Sequence, residues 1–426
     1  MYTLILGLRS LLFRKRQYTS LLLVCLVGVG ISLFSIFLIR GMLFSLEAKA
    51  RIYYGGDYQF IGGVNSLDFA DASPFIEKLR PVFGEEAVIA PRFDFDADNA
   101  AFFFEGASAR QRVIKGVDFE TESSLFKEFN YIGGSSDDMA HSNGILLSEP
   151  IAERLGIVAG DEMTLMIRTV QGYINTVPLI VKGVFRDSSL FGMYTSYMDI
   201  DCLRNAFGVS ATYANRIAID LGKTKGEGLE VYHEKLASIF KMYRIVDDKK
   251  IFYNDLLGGK FSEPTYAVID LSANMDELRV LISAMEGISA AIIITLIVII
   301  IAGIGSTYRV LIMKRINEIG IYMAIGMKKS AIMLSILSES LFLLLAGCVS
   351  GLLFSLLLCL IAHLVNFSFI PAFDIFLMNS HLVPIFDAKA TALISLSVII
   401  LTLIAVVAST QKIVRVMPVK ALSTTE

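Results

Sequence analysis

Four long uncharged apolar runs decide first what this chain can fold into. They cover residues 17–39, 287–308, 340–373 and 390–411 of the 426 residues. A helix crosses the hydrocarbon core of a bilayer with about 20 residues, so each run is long enough to span a membrane. The hydrophobic share of 54% and the mean hydropathy of +0.62 also exceed those of ordinary soluble domains. The sequence therefore predicts a membrane protein with four transmembrane α-helices.

The first run has one competing interpretation, a signal peptide, because Arg14, Lys15 and Arg16 precede it. The apolar core of a signal peptide has about 7 to 15 residues, and this run is longer. Glu47 and Lys49 also lie where the small residues of a cleavage site are needed. We therefore expect the run to be retained as a membrane anchor.

Basic residues indicate which ends of the runs face the cytoplasm. The segments 1–16, 309–338 and 412–426 together hold 12 Lys and Arg residues against two acidic residues. Short cytoplasmic segments carry an excess of Lys and Arg. We therefore expect both termini inside the cell and the long segment between the first two runs outside.

That long segment has the pattern of a domain that mixes strands and helices. Helical periodicity is present at 148–157 and at 226–243, where Leu229, Tyr232 and Leu236 share one face with Ile239. Stretches with β-branched or alternating residues occur at 58–64, 112–119, 162–170, 176–185 and 216–221. An α+β domain, of one or two lobes, is predicted.

Helix is expected to continue beyond the membrane at both junctions of this domain. Leu278, Leu281, Ile282 and Met285 fall at i, i+3, i+4 and i+7, and such an apolar stripe needs a partner in water. The extension of the first run, 43–52, is the obvious partner, so a stalk of two helices is predicted.

These observations predict one division of the chain. It consists of a cytoplasmic N-terminus (1–16), transmembrane helix 1 (17–41), an extracytoplasmic α+β domain with helical stalks (42–277), a stalk with transmembrane helix 2 (278–308), a cytoplasmic loop (309–338), transmembrane helix 3 (339–363), an external loop (364–389), transmembrane helix 4 (390–411) and a cytoplasmic tail (412–426).

The charged segment 313–329 has the pattern of a short amphipathic helix. Ile312, Ile316, Ile319 and Met323 recur at intervals of four, three and four, which places them on one face. Periodicity alone leaves two interpretations open. The helix either contacts another protein or lies on anionic lipid, which the same basic residues favour.

The third run carries two further features. Gly347 and Gly351 form a GxxxG pattern, which we interpret as a site of close helix packing. Glu339 adjoins the apolar core, where an acid either marks a transport pathway or extends to the interface. The interface is the preferred interpretation.

Sequence patterns for catalysis are missing from the chain. The nearest approach to a phosphate-binding loop, at 221–228, has Ile217 where the first glycine is required. The four histidines show no spacing for a metal, and no G-x-S-x-G is present. We predict no catalytic residue, no metal, no cofactor and no nucleic-acid partner.

The residues that surround this short helix resemble a known family. The stretch 314–351 resembles the signature of FtsX-type ABC transporter permeases, and the ending 417–423 resembles the family's Pro-x-x-Ala-Leu at Pro418, Ala421 and Leu422. The stretches 114–120, 145–165 and 181–185 look like the extracytoplasmic domain of MacB, LolC and LolE. The signature positions are Arg315, Glu318, Ile319, Gly320, Ala324, Gly326, Glu339, Gly347 and Gly351.

The resemblance implies a permease that works as a pair, with a second copy or a paralogue, on a cytoplasmic ABC ATPase dimer. The segment 316–323 would then be the coupling helix within the cytoplasmic loop. Transport would proceed by mechanotransmission, in which closure of the ATPase moves the outer domain. The implied ATPase-coupling residues are Arg315, Ile316, Glu318, Ile319, Gly320, Met323, Ala324 and Gly326.

The chain length, the separate ATPase and the tract 373–397 look closest to LolE, within the LolC/LolE permeases that release lipoproteins from the inner membrane. The implied substrate is a lipoprotein, with a lipid cavity that includes Met42, Phe44, Ile282 and Met285. The large domain would be periplasmic. A periplasmic carrier stays an open partner, because 168–180 is a short turn where LolC has a long hairpin. FtsX-like signalling to cell-wall hydrolases and MacB-type efflux of antimicrobial peptides remain as alternatives.

Overall fold

The computed structural model describes residues 15–96, 100–110, 113–127, 129–189, 191–193, 195–222 and 226–414. Its packing divides the chain into two units. The helical unit comprises Met1–Met42, Ile282–Asn366 and His381–Glu426, and the inserted unit comprises Leu43–Leu281 and Phe367–Ser380. The basic segment before residue 15, part of the turn at 221–228 and the ending 417–423 lie outside the described residues.

The elements are numbered here in chain order. The helices are α1 Lys15–Tyr54, α2 Ser73–Phe83, α3 Ser123–Phe126, α4 Glu149–Leu155, α5 Ile200–Phe207, α6 Leu229–Ala237, α7 Lys249–Leu257, α8 Leu271–Asn274, α9 Asp276–Lys314, α10 Ile316–Ala324, α11 Lys329–Leu364 and α12 Ala388–Val414, with a 3-10 helix at Pro371–Phe376. The strands are β1 Tyr58–Gly63, β2 Val88–Asp96, β3 Ala101–Phe104, β4 Ala107–Arg110, β5 Val113–Val117, β6 Tyr131–Gly134, β7 Gly144–Ser148, β8 Glu162–Arg168, β9 Ile174–Phe185, β10 Thr195–Asp199, β11 Arg216–Asp220 and β12 Thr265–Asp270.

Among the described helices, α1, α9, α11 and α12 are long and apolar enough to cross a membrane. The candidate spans are Tyr18–Tyr54, Leu278–Lys314, Lys329–Leu364 and Ala388–Ala408. They include most of each apolar run of the sequence, because an uncharged apolar run of this length satisfies its backbone hydrogen bonds internally only as a helix. The four apolar helices expected from the sequence are therefore present.

The strands between α1 and α9 form one mixed sheet, which has 12 strands in the described part of the chain. Its order is β12-β1-β11-β2-β5-β10-β7-β9-β8-β3-β4, and β6 also pairs with β9. The pairs β10 with β5 and β7 with β9 are parallel, and the other described pairs are antiparallel. The α+β domain predicted between the first two apolar helices is thus present as a sheet-rich domain.

Separate hydrophobic clusters cover the two ends of this sheet. One cluster includes Phe102 on β3 and Leu165 on β8, and is packed by α4 and α5. Another includes Phe60 on β1 and Ile217 on β11, and is packed by α2 and α6. The two lobes considered from the sequence therefore share one sheet.

The helix predicted over 226–243 is shorter than expected. It covers Leu229–Ala237 and buries Tyr232 and Leu236, but Ile239 lies beyond its end and is exposed. The following backbone pairs with the edge of β12 instead: Tyr243 N donates to the Tyr266 carbonyl at 2.7 Å. Covering a sheet edge satisfies backbone groups that would otherwise be unpaired, which overrides the helical pattern.

The two strands next to the long helices are neighbours in the sheet. In the antiparallel pair of β1 with β12, Tyr58 faces Asp270 and Gly63 faces Thr265. Tyr54, the last residue of α1, donates its hydroxyl to the Asn274 carbonyl of α8 at 3.0 Å. The chain therefore enters and leaves the inserted unit at adjacent positions.

Gly347 and Gly351 allow α11 to pack closely on α1. A Cβ atom at position 347 would lie 2.5 Å from Cys25 Cβ, and one at position 351 would lie 2.9 Å from Val29 Cβ. Both distances are shorter than van der Waals contact permits. The packing interpretation of the GxxxG pattern is confirmed.

We expect Gly347→Ala to destabilise the helical unit by about 1–3 kcal/mol, the usual cost of overpacking. Gly303→Ala is the matched control, because its Cβ would lie at an ordinary 3.5 Å from Val24. Alanine favours a helix over glycine by about 1 kcal/mol, so the control should be neutral or stabilising. The midpoint of thermal unfolding of the purified protein distinguishes them, and equal responses would contradict the close approach.

Candidate functional site: the connecting helix and its anchors

The connection between α9 and α11 contains one short helix, α10. Helix α9 ends at Lys314, and Arg315 is the N-cap residue of α10. Gly326 adopts a positive φ of 91° just after the end of α10, a conformation that glycine tolerates without strain. The short helix predicted from the periodicity is therefore present, and Gly326 marks its abrupt end.

The apolar stripe of α10 faces the chain's own helices. Ile319 and Gly320 are buried. Ile319 belongs to the hydrophobic cluster of the helical unit, against which Met323 and Met327 also pack. These residues therefore fix the position of α10, with Ile319 buried and with Met323 and Met327 half-buried against the same cluster.

The opposite face of α10 is also apolar, and it is exposed. Ile321 is 50% exposed, Tyr322 41% and Ile325 78%. Sequence reasoning passed over these three residues because it followed a single stripe. The sequence does contain a sign of them. A short helix packs on its own protein with one apolar face, so a second apolar face in a charged connection indicates a contact with something else. Of the predicted coupling residues, Ala324 and Gly326 lie on this exposed side, and Ile316 and Glu318 are half-buried.

A buried ion pair anchors the start of α10 to α11. Arg315 donates from Nη1 to Glu339 Oε2 at 2.8 Å, and Tyr18 of α1 donates its hydroxyl to the other oxygen of the same carboxylate. Arg315 Nε also lies 3.3 Å from Glu318 Oε2. Only 2% of the Glu339 side chain is exposed. The preferred interpretation of Glu339, a side chain extended to the interface, is therefore wrong: it is enclosed by its partners.

The residues predicted to line a lipid cavity differ in exposure. Met42 is buried, Phe44 is 48% exposed, and Ile282 and Met285 are half-buried. Within the stalk stripe, Leu278 is buried and Leu281 is exposed. Phe44 offers the largest accessible apolar surface of the four predicted lining residues.

Within the inserted unit, Arg92 holds the end of α1. It lies on β2, and its side chain is fully buried. Its Nε donates to Glu122 Oε2 at 3.0 Å, and its Nη1 donates to the carbonyls of Ile52 and Tyr53 at 3.1 and 3.2 Å. One guanidinium thereby caps a helix end and pairs with a carboxylate. The end of α1 is fixed to the sheet.

A second buried charge cluster lies beside the first. Lys115 Nζ is 2.6 Å from Asp94 Oδ2 and 3.9 Å from the ring centre of Tyr53, and Arg216 Nε is 3.1 Å from the same carboxylate oxygen. Burial lowers the pKa of Lys115 to about 7, and the Lys115 and Arg216 cations keep the pKa of Asp94 below its usual value. The Tyr53 end of α1 therefore contacts a cation of the sheet.

One group of possible metal ligands occurs in the described residues: His141, Asp199 and Asp201. Asp199 already accepts backbone hydrogen bonds from His141, Asp201 and Cys202, and Asp201 pairs with Arg204 at 2.8 Å. These contacts account for the cluster as a helix N-cap, so we assign no metal to it.

Four helices that are long and apolar enough to cross a membrane, a large inserted sheet domain and a short anchored helix between the second and third of these helices are the features of a multi-pass membrane protein. Residues 290–418 match the family described as FtsX-like permease C-terminal, a span that includes α10, its anchor Glu339 and the packing glycines. This match supports an ABC transporter permease of the FtsX/MacB-like family; permeases of that family work with an ABC ATPase and are not themselves ATPases. No curated protein matches the chain.

Proposed function

We propose that this permease couples ATP hydrolysis by a separate ATPase dimer to the extraction of lipoproteins from the inner membrane by mechanotransmission. The observation that carries the proposal is the exposed apolar face of α10, formed by Ile321, Tyr322 and Ile325. The opposite face of the same helix packs against the hydrophobic cluster of the helical unit. An exposed apolar patch beside charged residues is typical of a protein interface. A helix that transmits movement from a partner needs a face that binds the partner and a firm attachment to its own protein.

The proposed topology follows the distribution of charge. Both termini and α10 lie in the cytoplasm, because the basic residues concentrate there. The inserted unit lies in the periplasm. A second permease, either a copy of this chain or a paralogue, completes the assembly on the other ATPase subunit.

In the proposed mechanism, closure of the ATPase dimer moves α10. Arg315 and Glu339 pass the movement to α11, and Tyr18 passes it to α1. Helix α1 continues without a break from Lys15 to Tyr54, where Arg92 holds its end. The inserted unit therefore receives the movement through α1, without a continuous aqueous channel.

Energetics explain why ATP is required for this substrate class. Each buried CH₂ group of an acyl chain contributes about 0.8 kcal/mol, so removing a multiply acylated protein from a bilayer costs on the order of tens of kcal/mol. Passive exchange would be too slow. A cavity that includes Met42, Phe44, Ile282 and Met285 would lower the cost by offering an apolar lining, and Phe44 is the first residue to test.

We expect Ile325→Asp to weaken binding of the ATPase at least about tenfold, because burying an isoleucine is worth ~1.5–3 kcal/mol and 1.4 kcal/mol is tenfold. The permease in nanodiscs is titrated with the ATPase that copurifies with it, and the dissociation constant is measured. Tyr322→Ser should weaken binding in the same direction.

Ser330→Asp is the matched control for this experiment. It adds the same charge to the same connection, at an exposed position in the first turn of α11. An acid there is favourable for the helix dipole, so the fold and the binding should be unchanged. Failure of the wild-type chain to bind any ATPase would refute the proposed function.

The turn between β8 and β9 favours keeping one alternative. Only residues 169–173 separate the two strands, and Thr169 N closes the turn on the Tyr173 carbonyl at 2.8 Å. Such a turn is too short to bind a periplasmic carrier as a long hairpin would. It is therefore as compatible with signalling to a cell-wall hydrolase, or with efflux of an antimicrobial peptide, as with lipoprotein release. Depletion of the permease separates these functions. Lipoprotein accumulation in the inner membrane supports release, whereas altered wall cleavage or peptide sensitivity with unchanged lipoproteins supports the alternatives.

A further inference from the structure

The connection between α11 and α12 belongs partly to the inserted unit. Its residues Phe367–Ser380 pack with Leu43–Leu281, although the helices on either side belong to the helical unit. The chain therefore passes between the two units not only in α1 and α9, but also on both sides of this segment. A mechanism that transmits movement only through α1 and α9 gives the α11–α12 connection no role.

Asp374 fixes the segment to α1. It lies in the 3-10 helix, and its carboxylate Oδ2 accepts hydrogen bonds from Lys49 Nζ at 3.0 Å and from Ser188 N at 2.9 Å. Lys49 Nζ also donates to the Asp374 carbonyl at 2.7 Å. Lys49 is a residue of α1, so both the backbone and the side chain of Asp374 bind the helix.

Asp187 completes a buried cluster of three charges. Its Oδ1 is 3.3 Å from Lys49 Nζ and accepts a hydrogen bond from Ser189 N at 2.9 Å. Burial raises the pKa of the Asp187 carboxyl. Asp187 lies two residues after the end of β9, in the segment that joins β9 to β10, so the cluster is connected to two strands from the middle of the sheet.

The segment is held by more than a surface ion pair. About a tenth of each carboxylate side chain and 16% of the Lys49 side chain are exposed. Ile375, Phe376 and Leu377, which follow Asp374, are all buried. Exposed ion pairs contribute little because water and salt screen them, whereas a buried pair is costly to break on one side.

We propose that Asp374 is a positioning residue that makes the α11–α12 connection a further line of transmission to the inserted unit. Movement of α11, which carries Glu339, reaches the sheet through Asp374, Lys49 and Asp187 as well as through the end of α1. This inference rests on the proposed function, because it requires that an ATPase moves α10. It assigns a role to a segment that lies outside the signature stretch 314–351.

The test uses hydrogen–deuterium exchange of the permease–ATPase complex in nanodiscs, with and without ATP and vanadate. In the wild type, we expect nucleotide trapping to change the exchange of the amides of Ser188 and Ser189. Asp374→Asn keeps the size of the side chain and an acceptor for Ser188 N but removes the charge. We expect it to abolish that change while ATP hydrolysis stays within about twofold of the wild type, and Asp374→Glu to restore at least half of it.

Asp387→Asn is the matched control, since Asp387 lies in the same connection, pairs with the largely exposed Arg40 at 3.4 Å, and caps α12 through Ala390 N. Asparagine caps a helix as well as aspartate does, so its nucleotide response should match the wild type. Lys49→Gln provides a second variant if Asp374→Asn does not fold, and the same loss of response is expected.

The outcomes separate this inference from the proposed function. A wild-type nucleotide response in both Asp374→Asn and Lys49→Gln would overturn the inference, as would a wild-type complex that hydrolyses ATP with no response at Ser188 and Ser189. Exchange that rises equally with and without nucleotide would show a merely structural contact and would also overturn it. A chain that binds no ATPase would instead refute the proposed function.

Discussion

Replacing Arg315 by methionine is expected to lower the free energy of unfolding of the helical unit by about 3–5 kcal/mol, because it removes the cation that pairs with a buried carboxylate. The side chain of Glu339 is 2% exposed, and Arg315 is its ion-pair partner at 2.8 Å. Arg315 Nε also lies 3.3 Å from Glu318 Oε2, and this acid cannot take the place of the lost cation. The labelling of Cys25, which is buried in the same unit, measures unfolding as the temperature is raised.

Glu339→Gln should cost less, about 1–2 kcal/mol. Glutamine still accepts a hydrogen bond from Tyr18 or Arg315, and Arg315 keeps Glu318 at 3.3 Å. Because 18% of the Arg315 side chain is exposed, its charge also stays in contact with solvent. The double variant Arg315→Met with Glu339→Leu leaves neither charge behind, so it should recover much of the lost stability.

The expected order of unfolding midpoints is therefore wild type, Glu339→Gln and Arg315→Met, from highest to lowest, with the double variant above Arg315→Met. Equal midpoints for the two single variants would contradict the cost expected for keeping the buried Glu339 charge without Arg315. The double variant also separates fold from function. It should be stable, yet weaken the stimulation of ATP hydrolysis, because α10 loses its polar link to α11.

Regular elements of this chain could be predicted from local patterns. Each apolar run is uncharged over a length that only a helix can carry through a membrane, so α1, α9, α11 and α12 follow from composition. Strands such as β8 and β9 follow from alternation, since the period of two places every second side chain in the core. These predictions need only residues that are close to one another in the sequence, so no knowledge of the tertiary structure is required.

The direction in which a short helix faces could not be predicted in the same way. The stripe of Ile319 and Met323 is visible in the sequence, but periodicity does not indicate whether a stripe faces its own chain or a partner. The hydrophobic cluster of the helical unit covers it, and the exposed apolar residues are instead Ile321, Tyr322 and Ile325. Tertiary packing therefore determines which face of α10 is buried.

Long-range ion pairs are the part of the site that sequence reasoning missed. Arg92 and Glu122 are 30 residues apart, and Lys49 and Asp374 are 325 residues apart. A single charged residue in a strand or loop carries no local sign of its partner. For Glu339, the sequence marked the residue but not Arg315 and Tyr18, and the wrong interpretation followed from that missing information.

We expect Arg92→Met to destabilise the inserted unit by about 3–5 kcal/mol, because Glu122 would be left buried and unpaired. The exposed fractions of the two side chains are 0% for Arg92 and 2% for Glu122. The carbonyls of Ile52 and Tyr53 would also lose their donor at the end of α1. Cys202 is the cysteine of the inserted unit, so its labelling during heating reports this unfolding separately from Cys25 and Cys348.

Arg92→Lys tests whether the fork of the guanidinium is needed as well as its charge. Arginine binds Glu122 with Nε and the helix carbonyls with Nη1 at the same time, whereas the single ammonium of lysine cannot reproduce that planar arrangement. Gly55 leaves room for the fork, since a Cβ there would lie 2.6 Å from Arg92 Nε. We therefore expect Arg92→Lys to be destabilised as well, by about 1–3 kcal/mol for the buried hydrogen bonds that are lost.

Arg168→Met is the matched control for both variants, because Arg168 is an exposed arginine at the end of β8 and its replacement should change stability by no more than about 0.5 kcal/mol. If Arg92→Met labels at Cys202 like this control, α1 is not held to the sheet by Arg92. If it labels early while Cys25 keeps its wild-type midpoint, the inserted unit has lost its hold on α1 and the helical unit has not. The second result would show that Arg92 holds the end of α1 to the sheet.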